Sequence, residues 1–155
     1  MNVNLMKGRL WLCVPIIITD LLDATVTMLG QSADYWKGSY DRIDEFNPIA
    51  RWLLTIHPIG IVIYTILDIA VISLLIMLMP LMISKTLSAF WAIGSAKAIY
   101  NWLVGPLHMG WWISNLVILV PTIILVYAFD KASTNQLSTD TRQVMSADNF
   151  LKKRG

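Results

Sequence analysis

Charge is what this sequence has least of. Asp, Glu, Lys and Arg make up only 14% of its 155 residues, whereas an ordinary soluble domain carries about 25%. Cysteine is nearly absent. Cys13 stands alone, which excludes an internal disulfide and any metal site built on several thiolates. Its apolar surroundings suit a small packing residue. Histidine is limited to His57 and His108, both beside turn residues. A Glu45, His57 and Asp23 set is chemically allowable, but its spacing matches no metal signature and no metal is expected. No HExxH, GxSxG, Walker loop or GxGxxG pattern occurs. The chain is therefore not expected to be an enzyme, no catalytic residue or cofactor is assigned, and nucleic-acid binding has no support.

What is present is apolar length. Hydrophobic residues make up 56% of the chain and gather into long runs rather than amphipathic stripes. That pattern predicts an all-α polytopic membrane protein. Four spans are expected, at about 10–29, 59–79, 86–104 and 111–129. About twenty residues at roughly 1.5 Å each cover a bilayer core. The first span reads as a retained anchor rather than a cleaved leader, because it holds two aspartates and is followed by a poor cleavage site. Asn47 is a good helix cap and Pro48 suits the first helical position, so a short interfacial helix is expected over 48–56. Its apolar face would carry Ile49, Trp52, Leu53 and Ile56. Residues 131–155 form a polar tail ending in Lys152-Lys153-Arg154-Gly155, a cluster suited to anionic lipid heads.

Lysine and arginine set the orientation. With four spans, Lys7, Arg9, Lys85, Lys131, Arg142, Lys152, Lys153 and Arg154 share one side, against Lys37, Arg42 and Arg51 on the other. Both termini are expected in the cytoplasm, and a prokaryotic inner membrane is the expected location. Trp11 and Trp91 would mark the inner interface, and Trp52, Trp102, Trp111 and Trp112 the outer one.

Against this apolar background a few polar residues line up in depth. Asp20, Asp23, Thr27, Asp68, Lys97, Asn101 and Asn115 all fall between the midplane and the outer surface. Asp20, Asp23 and Thr27 share one helical face. A charge at the bilayer centre costs about 2.5–3.5 kcal/mol, so these groups are expected to face inward and pair. Lys97 with Asp68 is the favoured pair, and Lys97 with Asp23 the alternative. Asp20 and Asp23 lie one turn apart and would hold a proton, a lysine or a metal ion between them. Ser88, Ala92 and Ala96 repeat every four residues and form a small-residue face for close helix packing.

Two motifs carry a resemblance. Asp23 and Thr27 give D-x-x-x-T, and Glu45-Phe46-Asn47-Pro48 gives E-x-N-P. The pair resembles a group of small bacterial and archaeal membrane proteins known only as a domain of unknown function. The resemblance covers roughly residues 15–105 and implies a helical membrane protein with Asp23, Thr27, Glu45, Asn47 and Pro48 as marked positions. It implies no activity. This chain departs from the group in a longer loop between the motifs and an added polar tail. Read physically, Glu45, Asn47 and Pro48 form an outer lid that folds over the first helix toward Asp23 or Thr27.

Two functions are expected. The first is an accessory or scaffold subunit of a larger membrane complex, partnered by lipids and by other membrane subunits or copies of itself. The second is a small proton- or cation-coupled transporter acting as a homo-oligomer through the buried Asp/Lys network.

Overall fold

A computed structural model of the chain describes residues 3–45 and 47–152. Phe46 of the E-x-N-P motif and the Lys153-Arg154-Gly155 end of the basic cluster lie outside the described residues. Six helices follow in order: α1 (Val3–Gly30), α2 (Ala33–Trp36), α3 (Pro48–Ile56), α4 (Ile59–Leu78), α5 (Leu81–Val104) and α6 (Trp111–Lys152). No strand occurs among the described residues.

The central element is α1, which packs against α4, α5 and α6. Paired side chains fix the directions. The Ser88 hydroxyl donates to the Leu12 carbonyl at 2.7 Å, and the Ser95 hydroxyl to Asp20 Oδ1 at 2.8 Å. Residue numbers rise together, so α5 runs parallel to α1. The Arg9 guanidinium donates to the Met77 carbonyl, so α4 runs antiparallel to α1. The Trp11 ring meets the Tyr127 ring edge-on at 5.4 Å, so α6 is antiparallel as well.

Three helical stretches are long and apolar enough to cross a membrane: Met6–Gly30, Ile59–Leu78 and Trp111–Ser138. The expected span over 86–104 lies within α5, which is 24 residues long. Lys85, Lys97, Asn101 and three serines dilute its apolar content, and α5 does not join that set. The outer faces of the bundle are apolar, with Leu21, Ile66, Leu74, Leu116 and Val126 exposed. In water such a belt would be an aggregation surface. Against lipid it is the ordinary contact.

The end of the bundle away from the first loop is packed by Leu12, Cys13, Ile16, Ile72, Ile76 and Ala132, with Phe129 against them. Cys13 is buried there as a packing residue. Ala132 and Ser133 show that the bundle continues past Phe129, where the apolar run ends. Ala132 is buried, and Ser133 Oγ accepts from Lys85 Nζ at 2.7 Å. The residues read as a polar tail continue α6 as helix to Lys152.

The first loop has a core of its own. Ser32 caps α2, accepting from the Tyr35 amide at 3.3 Å. This one-turn helix carries no apolar repeat that would reveal it in sequence. It delivers Tyr35, fully buried, among Ile43, Ala50, Leu54 and Ile61. The Tyr35 hydroxyl donates to the Leu54 carbonyl at 3.3 Å. Asn47 caps α3 as its type and position predict, accepting from the Ile49 and Ala50 amides at 3.0 and 3.3 Å. Ile49, Trp52 and Ile56 stay exposed while Ala50 and Leu54 face inward. At the α3–α4 corner, a Cβ on Gly60 would overlap the Leu53 backbone carbonyl.

Two predictions follow from this packing. Gly60→Val is expected to lower stability by about 1–3 kcal/mol, the usual cost of overpacking, read as thermal unfolding in detergent. Burial, with Tyr40 adding to it, pushes the Tyr35 phenol above its ordinary value. The folded lid therefore favours the neutral phenol. That stabilisation is complete below about pH 10 and is lost as pH rises through the folded value. Proteolysis within residues 31–47 is expected to accelerate at alkaline pH, and Tyr35→Phe to flatten that acceleration.

Candidate functional site

On α1, Asp20, Asp23 and Thr27 stand at i, i+3 and i+7 and so share a face. On α4 the facing residues are Tyr64 and Asp68, one turn apart. On α5 they are Trp91, Ser95, Ala98 and Trp102, at the same spacing. These three faces enclose a cavity of about 900 Å³. Asp44, Glu45 and Asn47 line it from the first loop.

Trp91 and Asp68 tie α5 to α4 at its inner end, with Trp91 Nε1 donating to Asp68 Oδ2 at 3.0 Å. The loop is tied over the outer end by polar contacts. Gln31 Nε2 donates to the Thr27 carbonyl at 3.1 Å, and Gln31 Oε1 accepts from the Asp44 amide at 3.4 Å. Asn47 Nδ2 donates to the Tyr64 hydroxyl at 2.7 Å, and the Asn47 amide donates to Glu45 Oε1 at 2.7 Å.

The electrostatics are one-sided. Five carboxylic acids line the cavity, Asp20, Asp23, Asp44, Glu45 and Asp68, and no lysine, arginine or histidine does. Asp20 is only 7% exposed. Its Oδ1 accepts from Ser95, its Oδ2 and Asp23 Oδ1 are buried without a donor, and the Asp68 carboxyl lies beside it. A carboxylate shut away from water without a partner is strongly disfavoured. These oxygens call for a proton or a positively charged ligand.

Five of the seven residues expected in an intramembrane network line this cavity: Asp20, Asp23, Thr27, Asp68 and Asn101. Lys97 and Asn115 do not. The expected Lys97–Asp68 pair is absent, as is Lys97–Asp23. Among the described residues the single ion pair is the exposed Arg42–Asp34, at 3.0 Å. The reason is helical phase. Six residues at about 100° each turn Lys97 roughly 120° away from Trp91 and bring it in line with the exposed Phe90, so it stands at the open edge of the cavity and not on the wall that holds Asp68. Asn115 is exposed too, and its Nδ2 donates to the Trp111 carbonyl of its own helix at 2.7 Å.

Glu45 and Asn47 reach the cavity, whereas Pro48 only starts α3. The D-x-x-x-T residues Asp23 and Thr27 thus share one chamber with Glu45 and Asn47 of E-x-N-P. Ser88 and Ala92 are buried, with Ser88 bonded to α1, and Ala96 is half-buried. The described residues hold no group of three His, Cys, Asp or Glu side chains able to grip a metal ion. His57 instead ends α3, its Nδ1 accepting from the Ile59 amide at 3.1 Å.

Tyr64, Trp91, Ser95 and Gln31 escaped the sequence reading as site residues. Trp91 and Trp102, expected in the aromatic belts, lie inside the bundle: Trp91 donates to Asp68 and Trp102 is buried. The i, i+4 pairs Tyr64/Asp68 and Trp91/Ser95 were the available signal. No family model, curated protein or solved structure matches the chain.

Ser95→Ala is expected to cost about 1–3 kcal/mol, because it removes a hydroxyl donor from a buried carboxyl. Lys97→Met is expected to change stability by less than about 0.5 kcal/mol. Denaturant unfolding in detergent measures both, and a large loss at Lys97 would restore the ion pair.

Proposed function

We propose that this chain is a four-span protein of a prokaryotic plasma membrane that takes up protons or other cations into the acidic cavity. It works as a small cation-coupled transporter, as a homo-oligomer, with both termini in the cytoplasm. The observation that carries this reading is the chamber itself: five acids, two unpartnered buried carboxyl oxygens and no basic lining residue.

Support for a fourth crossing comes from α5. It lies along α1 from the Ser88–Leu12 bond to Trp102, whose ring fills the space beside Gly30. A helix packed lengthwise on a span, in parallel, traverses the same depth. Lys97 supports association. It sits two residues past Ser95, which bonds the Asp20 carboxyl of the first span, and it is exposed. Exposure to lipid at that depth costs about 2.5–3.5 kcal/mol, so this face favours contact with protein or water. The accessory-subunit reading has less behind it, since the Ser88 and Ala92 face that motivated it is buried within the chain.

Proteoliposomes loaded with a pH dye test the transport reading. Under an imposed potential the wild type is expected to pass protons or a coupled cation. The Asp20→Asn/Asp23→Asn double variant is expected to lose at least about tenfold in rate, a change of about 1.4 kcal/mol in barrier. Asn115→Ala, outside the cavity, is expected to behave as wild type. Unchanged flux in the double variant would end this reading.

A further inference from the structure

The cavity has two unlike walls. The acids come from α1, α4 and the first loop. The α5 wall carries no acid and presents Phe90, Trp91, Gly94, Ala98 and Trp102. An acidic wall facing an aromatic one is the arrangement that holds a positive charge attached to an apolar body. Aromatic faces attract cations through their ring quadrupoles, and carboxylates supply the counter-charge.

We propose that the cavity binds an amphiphilic organic cation, a lipophilic amine or quaternary ammonium with an aromatic or alkyl body. The proposal rests on the cavity being a cation site, as above, but not on transport. Size is the first argument. About 900 Å³ falls within the roughly 300–1,000 Å³ of small-molecule pockets. An inorganic ion would leave such a chamber almost wholly to water. The spread of the acids is the second. They are spread over three elements and no three of the described side chains converge as a metal site. A diffuse, bulky cation needs no such convergence. The lining offers no lysine, arginine or histidine to receive an anion.

Access is the third argument. Among the described residues, hydrogen bonds join α4 to α5 at two places. One is Ser84 to the Ile76 carbonyl, at 2.8 Å, and the other is Trp91 to Asp68. Both lie at or inward of the cavity floor. On either side of Trp91 the α5 wall is open: Phe90 is 69% exposed, and a Cβ on Gly94 would meet nothing within 4 Å. The opening faces sideways rather than through the first loop, on the side of α5 that also carries the exposed Lys97.

Isothermal titration of the full chain in neutral-lipid nanodiscs tests this, with tetraphenylphosphonium and its near-isosteric anion tetraphenylborate. Saturable binding of the cation and none of the anion is expected. Asp20→Asn/Asp23→Asn is expected to weaken it by about tenfold or more, and Phe90→Ala by about threefold. Phe90 is exposed, so its truncation tests the aromatic wall even if the double variant fails to fold. Equal binding of anion and cation means partitioning into lipid and overturns the proposal. So does full affinity in both variants, or saturable binding of sodium or magnesium with none of the organic cation. Proton flux in liposomes without tetraphenylphosphonium binding removes this ligand class and leaves transport standing. Charge-selective, Asp-dependent binding without flux supports the ligand class and removes transport.

Discussion

Two carboxyl groups on the central helix of a membrane bundle set the terms for everything around them. Asp20 and Asp23 lie on the helix that every other long helix touches. Neither lipid nor a tightly packed apolar neighbour can receive them. The surrounding helices therefore part on that side and close on the others. On the closed sides Ile99, Trp102 and Leu103 pack against Val26, with Val117 of α6 beside them. On the open side stand Tyr64, Asp68, Trp91 and Ser95, the polar or amphipathic members of their helices.

The first loop completes the enclosure because it is a folded unit. Tyr35 gives it an apolar centre, and Asn47 serves two ends at once. Its oxygen caps α3 while its amide nitrogen bonds Tyr64 on the cavity wall. Gln31 links the end of α1 to the Asp44 backbone in the same way. Short polar contacts thus hold acidic residues Asp44 and Glu45 over a chamber that is already acidic. Adding like charges there makes sense for a site whose occupant is positive.

The lack of a basic residue in the lining separates this chamber from a structural ion-pair network. A structural network would bring its lysine inside, and Lys97 stays outside. It stands exposed at the open edge of the cavity, one turn beyond Gly94, and the lining itself holds no lysine, arginine or histidine. The positive charge must then come from solution or from the bilayer.

Residue order alone determined the helical class, because apolar runs of about twenty residues have few other stable forms. It also determined the cap at Asn47, the depth of Asp20, Asp23 and Asp68, and the meeting of D-x-x-x-T with E-x-N-P, since these follow from rise per residue and local chemistry. Depth, however, is a coordinate along a helix, and pairing depends on the angle around it. Lys97 and Asn115 lie at the right depth but at the wrong azimuth. Only tertiary packing decided that azimuth, through the seating of Ser88 and Ser95 against α1 and of Trp91 against Asp68. The same packing turned Trp91 from an interface marker into a cavity wall and left the aspartates of α1 without a basic partner.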